Sequence, residues 1–178
     1  MCDCPSNDEL FRSIDRWIDE RRWQLISVGF EEASGSRWTY SIGLIEGFGH
    51  PELVVAGGCC AACGGWVINQ LGDRIAAGER WPMPTDEPVP LDGGPLVHLR
   101  PVPDECWTAD WFAAWVSYYG SKSYAPPAPA AVQVVVGDAG GRFPWEPGCD
   151  EAMAASQRMP LAPVMSRSMR RRTARHRR

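Results

Sequence analysis

The stretch Ala131-Val132-Gln133-Val134-Val135-Val136 constrains the fold more than any other part of this chain. An unbroken run of β-branched apolar residues, bounded by turn-forming residues, is the pattern of a strand buried inside a sheet. Residues 52–57 (ELVVAG) form a shorter run of the same kind and read as a second central strand. Residues 24–30 and 37–44 read as two further strands, the second rich in aromatic and β-branched side chains. The turn material between them is short, which implies an antiparallel hairpin. Residues 95–102 alternate well enough for another strand, and 81–90 are Pro-rich and extended.

Three helices are expected among these strands. Ser6 and Glu9 have the spacing of a capping box, followed by Leu10, Ile14, Trp17 and Ile18 at helical intervals over residues 7–22. Cys63, Trp66, Val67, Leu71 and Ile75 give residues 60–78 the same amphipathic character. Gly64 and Gly65 each cost a helix about 1 kcal/mol relative to alanine, so close approach to a packed neighbour is their expected reason. Thr108 opens the third helix, which carries Trp111, Phe112, Trp115, Val116 and Tyr119 and ends at Gly120. Strands and helices do not alternate regularly. The expected class is therefore α+β, a mostly antiparallel or small barrel-like sheet with about three packed helices. One domain is expected over residues 1–150, with 151–178 as an extension and no internal repeat.

The extension ends in SRSMRRRTARHRR, which holds seven arginines and no acid, while the remaining residues carry a net charge of −11. Such a segment, residues 166–178, buries too little apolar surface to fold and is expected to be disordered. It is a candidate for binding nucleic acid or an acidic partner, although a basic run supplies attraction without sequence readout. A nonfunctional extension accounts for it equally well. No apolar stretch reaches the roughly 20 residues of a membrane span. The N-terminus lacks a basic flank and apolar core, so no signal peptide is expected. Arginine outnumbers lysine 17 to 1, and alanine, glycine and proline abound, a bias that suggests a GC-rich bacterial genome and a cytoplasmic protein.

Seven cysteines fall at 2, 4, 59, 60, 63, 106 and 149. A cytosolic chain is not expected to use them as structural disulfides. Cys60 and Cys63 have C-x-x-C spacing at a helix start, where a lowered thiol pKa would make them reactive. Packing as small apolar residues is the alternative, and zinc binding is a third reading that the short C-x-C of Cys2 and Cys4 weakens. No phosphate-loop, dinucleotide, zinc-protease or nucleophile-elbow motif is present. His50 and Glu52 flank Pro51 at a Gly-rich bend, as a candidate acid–base pair or merely the corner between two strands. His98, in an alternating strand, reads as an ordinary strand histidine. Arg142 is placed either to hold an anion or to pair with Asp138 and stiffen its turn.

Three stretches carry a resemblance. W-x-Y-S-I-G-L and G-F-G-H-P-E-L-V-V (residues 38–55), together with A-V-Q-V-V-x-x-D-A-x-G-R-F-P-W (residues 131–145), resemble the bacterial family called domain of unknown function 4262. The similarity extends to residues 70–79 and 118–120 and covers roughly residues 1–150. The chain start, with Cys2 and Cys4, is also similar, though the family spaces its two cysteines further apart. The resemblance implies family membership and assigns no catalytic residue.

Nine tryptophans are many for this length, and they serve either an aromatic core or a cleft. Three functions follow from the residues. The first is a small-molecule or anion binding module whose aromatic-lined cleft uses Trp38, Tyr40, Arg142 and Trp145. Its strand–bend–strand rhythm is comparable to that of small flavin-reductase barrels, which makes flavin a cofactor worth testing by analogy of fold alone. The second is an enzyme using His50 and Glu52 with a cysteine nucleophile such as Cys60. The third is an adaptor acting through the Arg-rich tail.

Overall fold

The computed structural model describes residues 6–29, 37–57, 61–125 and 129–157. The readings of Cys2, Cys4, Cys59, Cys60, the 126–128 connector and the tail lie outside these residues. Among the described residues six strands form one open sheet in the order β1-β2-β3-β6-β5-β4. They are β1 (Gln24–Gly29), β2 (Arg37–Ile42), β3 (Glu52–Ala56), β4 (Val89–Pro90), β5 (Leu96–Pro101) and β6 (Ala131–Val136). Every neighbouring pair is antiparallel except β3 with β6, which run parallel at the centre. The architecture is α+β, and of the two expected sheet forms it is the open one rather than the barrel.

Among the described residues five α-helices accompany the sheet: α1 (Asn7–Arg21), α2 (Leu44–Phe48), α3 (Ala61–Ala76), α4 (Ala109–Ser121) and α5 (Glu151–Ser156). Helix α1 starts on the expected capping box, in which Ser6 Oγ accepts from the Glu9 amide and Glu9 accepts from the Ser6 amide. One face of the sheet lies under α3, whose Val67, Ile68, Leu71 and Ile75 pack against Leu53, Val55, Val132 and Val134. The two glycines of α3 lie against side chains of the sheet. A Cβ on Gly64 would stand 3.4 Å from Thr39 Oγ1, and one on Gly65 would stand 3.2 Å from Leu25 Cδ1. Absence of side chains there lets the first turns of α3 settle onto β1, β2 and β3.

The opposite face holds Trp38, Tyr40, Ile42, Val54 and Ala131, covered by Ile14 of α1 and by Phe112, Trp115, Tyr118 and Tyr119 of α4. Aromatic rings dominate this layer, meeting mostly edge to face, as Tyr40 does with Phe112 at 5.1 Å. Strand alternation puts His98, Arg100, Gln133 and Val135 on this same face beyond the aromatic layer. Here the cover comes from residues 142–157. Gln157 stands in for a neighbouring strand: its side-chain amide accepts from the Val136 amide and donates to the Val136 carbonyl. Gln133 Nε2 donates to the Gln157 backbone carbonyl.

The segment expected to be a Gly-rich bend, residues 43–49, contains helix α2. Glu52 is the physical reason. Its carboxylate reaches back over the turn to accept from the amides of Gly43 (2.8 Å), Leu44 (3.3 Å) and Ile45 (3.4 Å). These are the amides that a helix start leaves without partners.

Candidate ligand cleft

The sequence candidates fall into separate places. Glu52 is completely buried, and two hydroxyls join the three amides around it: Ser41 Oγ at 2.6 Å and Tyr119 Oη at 3.3 Å. Burial raises the carboxyl pKa against the opposing pull of the Ser41, Gly43, Ile45 and Leu44 bonds. Five donors occupy both oxygens, so this carboxylate serves as a structural hub. His50 is 3% exposed and forms no hydrogen bond with Glu52 among the described residues. Its Nδ1 lies 2.7 Å from the Pro51 carbonyl, which accepts its proton, and its ring meets Trp81 edge-on. Burial, aided by the Arg80 charge and opposed by the Pro51 bond, pushes its pKa down.

Trp38 and Tyr40 are 5% and 1% exposed and belong to the aromatic layer under α4. Trp38 Nε1 donates to the Trp111 carbonyl at 3.0 Å. Arg142 pairs with Asp138, whose Oδ1 also accepts from the amides of Gly140 and Arg142. Those backbone bonds lower the Asp138 pKa and tie the turn together. Cys63 is exposed on the first turn of α3, lining an apolar cavity of about 620 Å³ with Trp66 and Met153. Of the four ligand-binding candidates, Arg142 and Trp145 stand open to solvent, at 51% side-chain and 46% exposure, and Trp145 is the exposed aromatic one.

What surrounds Trp145 is the best-formed constellation of aromatic and charged groups on the sheet's outer part. Phe143 stacks on it nearly parallel, with ring centroids 5.3 Å apart. His98 meets Phe143 at 4.5 Å and Trp145 at 5.3 Å, edge to face in both cases. The Arg100 guanidinium lies 4.8 Å over the Trp145 ring. It forms no ion pair and no hydrogen bond among the described residues. Arg100 and Trp145 border two cavities at once. One, of about 670 Å³, is walled by the 84–88 loop, His98 and Glu146; the other, of about 330 Å³, by Pro101, Gln133, Val135 and Gln157.

Thr85 fixes the His98 ring. Nδ1 lies 3.2 Å from the Thr85 carbonyl and 3.0 Å from its Oγ1, and Oγ1 itself accepts from the Leu99 amide. A carbonyl can only accept, so the proton of the neutral ring belongs on Nδ1. Nε2 is then a lone-pair acceptor, and no described residue hydrogen-bonds to it.

Neither Arg100 nor His98 stands out as a site residue in the sequence, yet a signal was there. In Leu96-Val97-His98-Leu99-Arg100 the buried Val97 and Leu99 alternate with the two polar residues, which must share the other face. Cover for that face arrives from residues more than 40 positions later, and periodicity within the strand carries no trace of it.

The fold and cleft define a class: an open α+β sheet protein with an aromatic core on one face and an arginine-bearing aromatic cleft beside it. The chain belongs to the family described as Domain of unknown function (DUF4262), whose model matches residues 17–150. No curated protein and no solved structure matches it. Among the described residues, no helix is long and apolar enough to cross a membrane.

Proposed function

We propose that this protein is a binding module for a small anionic molecule, held at the cleft where Arg100 lies over Trp145. One observation carries the reading: a guanidinium 4.8 Å over an exposed indole, without an acid or carbonyl partner among the described residues, at the border of two cavities. Arginine normally satisfies several of its five N–H donors, and its planar fork fits a carboxylate or phosphate two bonds at a time. Stacking on Trp145 holds that fork in one orientation, which reduces the ordering cost of binding. The expected cleft therefore uses Trp145 with Arg100, in place of Arg142, Trp38 and Tyr40.

Calorimetric titration with 4-methylbenzoate tests it, since this probe joins a carboxylate to a flat apolar ring. Arg100→Ala is expected to weaken binding by about tenfold or more, the scale of one lost charge-assisted hydrogen-bonded pair. Trp145→Ala is expected to weaken it as well, by removing the platform. Equal affinity in the wild type and Arg100→Ala would remove the basis of the proposal.

A further inference from the structure

We infer that the ligand of this cleft is dipolar, carrying a cationic amine about 6–7 Å from its anionic group, and this rests on the anion reading of Arg100. The scale of that spacing comes from the backbone: His98 and Arg100 are two residues apart on one face of β5, and a strand rises about 3.3 Å per residue. The two sides of Arg100 differ in chemistry. Toward Gln133 and Gln157 the cavity holds no acid, so the guanidinium sets its potential and a carboxylate belongs there. Toward His98 the cavity is bordered by Asp86, Glu87 and Glu146, three acids to the one guanidinium of Arg100.

His98 decides what the acidic side accepts. Thr85 fixes the ring so that Nε2 presents a lone pair. A second anion would meet that lone pair and three carboxylates, whereas an ammonium donates to Nε2 and is attracted by the carboxylates. Glu146 is already committed in part, since it accepts from the Phe143 amide at 2.6 Å. Asp86 and Glu87 form no ion pair among the described residues and stand free to pair with the amine. Between the charged ends, Trp145 offers an apolar surface for a flat spacer.

The probes are 4-(aminomethyl)benzoate, which has both ends at this spacing, and 4-methylbenzoate, which lacks the amine. Titration of the full chain is expected to give the zwitterion at least about tenfold tighter binding, as for a gained charge-assisted hydrogen bond. His98→Phe keeps the ring packing against Phe143 but removes the acceptor, and it is expected to abolish that advantage. The exposed pair Asp86→Asn with Glu87→Gln is expected to reduce the advantage independently of any effect on packing. If both probes bind the wild type equally and both depend on Arg100, the dipolar inference falls and the anion site stands. An advantage that survives both sets of substitutions overturns the inference too. If neither probe binds, the inference and the anion reading fall together.

Discussion

Replacing Glu52 with alanine is expected to lower the free energy of unfolding by about 3–5 kcal/mol, the scale of several buried donors losing one acceptor together. Three amides, of Gly43, Leu44 and Ile45, lose their acceptor inside a region that water does not reach. Each such orphaned donor costs about 1–3 kcal/mol, and rotation of the Ser41 and Tyr119 hydroxyls offsets only their own share. Helix α2 should lose its start, and the bond between Tyr119 of α4 and strand β3 is lost with it. Urea denaturation checks the size, and amide exchange at residues 43–45 checks the place. A loss below about 1 kcal/mol, a surface-substitution value, would show that the carboxylate is not the hub.

The same group gives stability a pH dependence of known sign. The Glu52 carboxyl pKa is raised in the folded chain, mainly by burial, so the native state holds its proton more tightly than the unfolded one. Its contribution is fully present below the unfolded carboxyl value of about 4.3 and is lost as pH rises through the folded value. Glu52→Gln removes that slope. It keeps one oxygen for Gly43, Ile45 and Tyr119 while turning an amino group toward Ser41 and Leu44. The variant should therefore gain on the wild type as pH rises above about 4.3, and a constant difference would contradict the account.

Gly57→Ala should be the second most damaging change, at about 2–4 kcal/mol, combining backbone strain with forced displacement of a packed segment. Gly57 follows β3 with φ at +60°, a conformation that favours glycine. The Ser156 backbone carbonyl occupies the space a Cβ would need, so relief requires α5 to move. Moving α5 pulls Gln157 from Val136 and Gln133. Denaturation midpoints measure the loss, and faster proteolysis within residues 151–157 would locate it. An unchanged midpoint would mean that α5 adds little to the fold.

The strands and long helices were legible because each carries its own periodicity. Residues 131–136 and 52–57 announced buried strands by apolar runs, and α1 announced its start through Ser6 and Glu9. Helix α2 was hidden because its acceptor, Glu52, follows it in the chain, while the intervening glycines suggest only a bend. The parallel pairing of β3 with β6 joins segments about 80 residues apart, and no local pattern encodes it. The tryptophans show the same limit. Position along the chain does not separate Trp38, enclosed under α4, from Trp145, open beside Arg100. Composition counted the rings, but only tertiary packing assigned them to core or cleft.

The central claim is that Trp145 and Arg100 receive the ligand while the α4 aromatic layer serves packing. Indole N–H resonances of the tryptophans, followed by NMR during titration with 4-methylbenzoate, test this most directly. Saturable shifts of the Trp145 indole and the Arg100 Nε–H, with Trp38, Trp107 and Trp115 unmoved, are the expected result. Shifts confined to the α4 tryptophans, or a silent Trp145, would contradict it.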